Sequence, residues 1–260
     1  MRNPVAAAFS FLALGLSVAC ASDESQTEDD LRSFVMADAE HPEVGQSWQK
    51  RGTSTYWCTT TLVGRRTLLT AAHCARNDDT TRTCEGGFMT DSSGRGGSSA
   101  PWKKLTFKGC ARRRVPGEIP GERDIAVLHL TTDADASLVP AQIATSIPSV
   151  AKRVIYGYGT FGRGCKNKMD DHKRKYVGDA ARGIFATVTC PGDSGGPHFL
   201  LGTNQIIATT SGDLGIQVTG DVAKYSTWLK ARIAESEANK PFTDDAVAQD
   251  SVDVYAPIFF

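Results

Sequence analysis

From about Phe34 to Ile233 the chain is a succession of short apolar runs separated by clusters of Gly, Pro, Asp and Ser. Short apolar runs bounded by turn-forming residues are the pattern of half-buried or buried strands. They predict strands over Thr59–Leu69, Ile125–Leu130, Arg153–Tyr158, Ile184–Val188, His198–Leu201 and Gln205–Thr210. The period changes once. Val222, Tyr225, Leu229 and Ile233 recur at helical spacing with Trp228 alongside, which predicts one helix near the end. Many short strands and a single helix argue for an all-β sandwich or barrel. The Ser92–Ser99 stretch, built of Ser, Gly and one Arg, reads as a loop.

The two ends do not follow this pattern. Arg2 and the apolar Val5–Val18 stretch read as an export signal, too short for a stable membrane span. Two processing readings stand. Ala19-Cys20-Ala21 offers an ordinary cleavage site after Ala21. Leu16–Cys20 is similar to a lipoprotein box that would make Cys20 a lipidated N-terminus. The second is preferred, because a cysteine ends the apolar run and the polar, acidic Ser22–Asp30 tether follows it. The expected organisation is a signal over 1–21, an acidic tether or propeptide over 22–33, a folded domain over 34–235 and an acidic tail over 236–260.

Composition excludes some functions. The formal net charge is zero, so nothing global points to nucleic acid or to a strongly charged partner. The Cys165–Lys175 run is basic, but Asp170 and Asp171 interrupt it, and it reads as a solvated loop. There are seven cysteines; setting aside Cys20 leaves Cys58, Cys74, Cys84, Cys110, Cys165 and Cys190, an even set suited to three disulfides in an exported protein. No C-x-x-C or H-E-x-x-H spacing is present, so no metal site and no cofactor are assigned. His41, His129, His172 and His198 are read as structural or surface residues.

Chemistry concentrates in three segments. In Cys190-Pro191-Gly192-Asp193-Ser194-Gly195-Gly196-Pro197 a serine stands among glycines, which leave its hydroxyl exposed and let a substrate approach the main chain. Serine is a weak nucleophile and needs a base. Thr70-Ala71-Ala72-His73-Cys74 offers an imidazole suited to that work, and Arg123-Asp124-Ile125-Ala126-Val127-Leu128 a carboxylate that would hold the imidazole's tautomer. These segments, in the order His, Asp, Ser, resemble the chymotrypsin/trypsin family of serine proteases.

The resemblance implies two six-stranded antiparallel β-barrels with a C-terminal helix and an active site between them. It implies a serine endopeptidase acting on polypeptides, with His73, Asp124 and Ser194 catalytic and the backbone N–H groups of Gly192 and Ser194 as the oxyanion hole. It implies a Cys58–Cys74 disulfide. Cys190 lacks the family's downstream partner, so Cys165 is expected to replace it, which leaves Cys84 and Cys110 to each other. Val188, six residues before Ser194, would be the floor of the specificity pocket, and Thr210-Ser211-Gly212 would belong to the strand segment of that pocket that pairs with the substrate backbone. An uncharged floor disfavours Lys and Arg and favours small or medium uncharged side chains. The short Gly159–Cys190 interval is similar to that of compact bacterial members, and the export signal adds the expectation of an extracellular, outer-surface or periplasmic location. In the family, the residue matching Asp193 pairs with a new N-terminal ammonium, but Phe34-Val35-Met36-Ala37 lacks the glycines of the usual terminus. That departure keeps a second reading open, a protease-fold binding protein with little or no activity.

Overall fold

The computed structural model describes residues 35–36, 40–75, 84–91, 102–112, 124–149, 152–160, 165, 173–179, 189–213 and 217–242. After a two-residue strand β1 (Val35–Met36), six strands close a barrel. They are β2 (Val44–Arg51), β3 (Ser54–Leu62), β4 (Thr67–Thr70), β5 (Glu85–Asp91), β6 (Trp102–Arg112) and β7 (Ala126–Leu130), in the order β2-β3-β4-β7-β6-β5. All of these pairings are antiparallel. The barrel is filled by Leu62, Leu68, Phe88, Phe107, Leu128 and Leu130, all essentially without solvent contact. The run Thr59–Leu69, expected as one strand, is a hairpin. Gly64-Arg65-Arg66 turns the chain, and Thr61 and Leu62 pair with Leu69 and Leu68. Both arms are buried, so the apolar pattern continues across the turn and hides it.

The remaining strands are β8 (Gln142–Ile143), β9 (Lys152–Gly157), β10 (Arg174–Asp179), β11 (Pro197–Leu200), β12 (Gln205–Asp213) and β13 (Gln217–Asp221). Among the described residues the expected second barrel is a seven-stranded sheet, ordered β1-β10-β9-β11-β12-β13, with β8 parallel to β12. The expected strand Ile184–Val188 lies outside the described residues, as does the Ser92–Ser99 loop. The basic run does not end as a solvated loop. Lys173 is fully buried and Arg174–Asp179 is strand β10, paired along its length with β9.

The helix α1 spans Ser226–Glu237. Val222 and Tyr225 lie in the turn before it rather than inside it. They still join Leu229 in one apolar cluster with Val44, Leu69, Val127, Tyr156, Tyr158, Phe199 and Ile206. That cluster takes side chains from the barrel, the second sheet and the helix, and so joins the three. The packed body continues past the helix to Phe242, which lies against this cluster and edge-on to His129. No helix among the described residues is long and apolar enough to cross a membrane.

Candidate active site

Strand β4 is buried along its whole length and delivers the chain to a 3-10 turn, Ala72–Cys74, that carries His73. Its neighbour β7 begins at Ala126, opposite Thr70, so Asp124 falls at the same end of the barrel as His73. Register alone brings together residues far apart in sequence. The contact is double: His73 Nδ1 lies 2.6 Å from Asp124 Oδ2, and the His73 backbone N–H donates to Asp124 Oδ1 at 2.8 Å. The Ser211 hydroxyl also donates to Asp124 Oδ2. Burial by itself would raise the Asp124 pKa. The His73 charge and the hydrogen bonds from His73 and Ser211 outweigh it and hold the carboxyl below its ordinary value.

Ser194 sits on a turn tied at many points. Asp193 N–H donates to the Cys190 carbonyl and Gly196 N–H to the Asp193 carbonyl, each at 2.9 Å. The buried Asp193 carboxylate accepts the backbone N–H of Gly159 at 2.7 Å and of Cys190 at 2.8 Å. Gly195 has φ +80°, and a Cβ there would stand 2.1 Å from Thr70 Oγ1 and 2.5 Å from the Thr59 carbonyl. A side chain would therefore lift the turn off β3 and β4. The turn meets the barrel through Thr59. Its N–H donates to the Ser194 carbonyl and its hydroxyl to the Gly192 carbonyl, both at 2.9 Å. Among the described residues the N–H groups of Gly192 and Ser194 donate to no protein acceptor.

Three disulfides form: Cys58–Cys74, Cys84–Cys110 and Cys165–Cys190. The first fastens the His73 turn to β3 one residue before Thr59, and Cys74 Sγ lies 3.8 Å from the Ser194 carbonyl oxygen. The third anchors the start of the Ser194 turn. The sulfurs beside His73 are bonded to each other, so they offer no thiolate to a metal.

Of the residues expected to line the pocket, Thr210 and Ser211 lie on β12 beside the Ser194 turn. Gly195 N–H donates to the Thr210 carbonyl at 2.7 Å, and Thr210 N–H to the Gly196 carbonyl at 2.8 Å. Ser211 does not present its hydroxyl to a pocket; it is bonded to Asp124. Gly212 follows where β12 shifts register against β13. Val188 lies outside the described residues. Thr59 and the Asp124 partnership of Ser211 were not found by sequence reasoning. No spacing rule marks either; only the position of Thr59 directly after Cys58 hints at its place.

The profile of the Trypsin family matches residues 38–229, most of the chain, and the protein belongs to that family. Among solved structures it is similar to neuropsin, a serine protease expressed in the limbic system of mouse brain. The TM-score is 0.57 at 22% identity, over 75% of this chain and 96% of that one, a likeness of fold. No curated protein sequence matches.

Proposed function

We propose that the protein is a serine endopeptidase in which Ser194 attacks, His73 is the base and Asp124 orients it. The observation that carries this reading is the His73–Asp124 pair at the barrel end that also receives the Ser194 turn. With Nδ1 held by the carboxylate, His73 takes the Ser194 proton on Nε2 as Oγ bonds to the substrate carbonyl carbon. The oxyanion so formed would be received by the unused N–H groups of Gly192 and Ser194, each donor lowering the barrier by about 3 kcal/mol. Collapse of the intermediate expels the amine, which takes the proton from His73, and leaves an acyl-enzyme. Water then enters, gives its proton to His73 and releases the acid, and His73 returns that proton to Ser194.

Substrates are polypeptides, cleaved after small or medium uncharged side chains, a reading that rests on Val188. Three disulfides suit export to an oxidising compartment. There, Cys20 would carry a lipid anchor.

The test is labelling of the full-length protein with a fluorophosphonate, which reacts with an activated serine. Wild type should label, and Ser194→Ala and His73→Ala should not. Near-native peptide turnover by either variant would overturn the mechanism.

A further inference from the structure

The second sheet buries a row of polar groups that the proposed mechanism does not use. Arg153 on β9 is 3% exposed, His198 on β11 0% and Thr210 on β12 2%. Arg153 Nη1 lies 3.1 Å from His198 Nδ1, and His198 Nε2 lies 3.0 Å from Thr210 Oγ1. Burying a guanidinium, an imidazole and a hydroxyl in a sheet interior is costly, and apolar residues would fill the same space at less cost.

The direction of each bond can be assigned. A guanidinium only donates, so His198 Nδ1 accepts. Burial and the neighbouring Arg153 charge hold His198 well below its ordinary pKa, so the ring is neutral and its single proton is on Nε2. Nε2 therefore donates to Thr210 Oγ1. The Thr210 oxygen is an acceptor in that bond, and its own hydrogen is directed elsewhere. Among the described residues the hydroxyl has no second partner. A buried donor left without an acceptor is destabilising, by more than a typical hydrogen bond contributes.

The position of Thr210 says what could supply the acceptor. Its backbone is bonded to both Gly195 and Gly196, the two residues after Ser194. Ser211 reaches Asp124, whereas Thr210 reaches His198. We infer that Thr210 offers its hydroxyl hydrogen to the substrate side chain entering beside Ser194, and so selects one that carries a hydrogen-bond acceptor, amide or carboxylate. An amide is compatible with the uncharged side chain expected from the sequence at Val188. A carboxylate would in addition feel the Arg153 charge, two hydrogen bonds behind the hydroxyl. The inference rests on the protease reading above but not on the side-chain preference read from Val188, which a Glu preference would replace.

Three peptides differing only at the cleaved position, Gln, Glu or Met, test it on the full-length protein. Wild type should cleave the Gln or the Glu peptide with kcat/KM at least about tenfold above Met, and the better of the two identifies the acceptor. Thr210→Val keeps the shape and removes the hydroxyl; it should bring the preferred peptide down to the level of Met, whatever loss the Met peptide itself shows. Thr210→Ser should retain the advantage. Equal cleavage of all three peptides by wild type overturns the inference, and so does an equal loss on all three in Thr210→Val, which marks a structural role. Should Thr210→Val fail to fold, the wild-type comparison still decides. Fluorophosphonate labelling of wild type separates the two levels: without labelling the protease reading fails, and with labelling but no acceptor preference only the role of Thr210 fails.

Discussion

The hydroxyl of Ser211 donates to the same oxygen of Asp124, Oδ2, that lies against the His73 ring. Asp124 is thus held from three directions, by the His73 ring, the His73 backbone and β12 of the second sheet. Replacing it with asparagine would keep the shape and favour the wrong imidazole tautomer. Asp124→Asn should lower kcat by about 10⁴. Ser211→Ala removes one of the contacts and should cost about ten- to a hundredfold, since a hydrogen bond to a charged group contributes about 1.5–3 kcal/mol. Steady-state kinetics on one peptide decides; equal losses in the two variants would contradict the geometry.

The same pair sets an acid limit. A carboxyl whose folded pKa is lowered binds fewer protons folded than unfolded. Its stabilisation is present above the ordinary carboxyl value and is lost as pH falls through the lowered folded value. Denaturant titrations between neutral and acid pH should show a steeper loss in wild type than in Asp124→Asn.

Lys173 gives a slope of the same sign at neutral to alkaline pH. Its ammonium donates to the Glu40 and His41 carbonyls at 2.7 and 2.6 Å. Burial lowers its pKa to about 7, against the attraction of Glu43, Asp91 and Glu40. Between about 7 and the ordinary value of 10.5 the unfolded chain binds a proton that the folded one does not, so stability rises with pH across that window. Lys173→Met should flatten the rise. An unchanged slope in the variant would show that another group is responsible.

The Cys58–Cys74 bridge closes a loop of 16 residues and holds the His73 turn beside Thr59. Loops of this size give about 3 kcal/mol of stabilisation in the chain-entropy view. The double variant Cys58→Ala/Cys74→Ala should lose about that much in chemical denaturation. Its kcat should also fall at temperatures where it remains folded. Lowered stability with full kcat would mean that the bridge does not position His73.

At the far end of the barrel, the Glu237 carboxylate accepts the backbone N–H groups of Arg65 and Arg66, both at 2.9 Å, and the Thr67 hydroxyl at 2.7 Å. These bonds fasten the end of α1 to the β3–β4 turn. Glu237→Ala should lower the unfolding free energy by about 1–3 kcal/mol through the unpaired turn amides. Thermal unfolding measures this, and peptide turnover at a temperature where the variant is folded should not change.

The segments around His73, Asp124 and Ser194, the all-β class, the C-terminal helix and the even cysteine set were legible in the sequence, because each is written in neighbouring residues or a local period. The β3–β4 hairpin was not, because both arms face a core and the apolar pattern runs through the turn. The burial of Lys173 was not either. A charged residue in a basic run reads as solvated, and only the carbonyls of Glu40 and His41 and the carboxylates facing it make its burial tolerable.

Taken by itself, the sequence determined which chemical groups the protein has and the local turns that carry them. Tertiary structure decided their partners. Strand register set Asp124 against His73, β12 brought Ser211 to the same carboxylate, and the packing of β9, β11 and β12 lined up Arg153, His198 and Thr210. Hydrogen bonds act over about 3 Å between atoms, and residues far apart along the chain reach that distance only when strands pair and sheets pack.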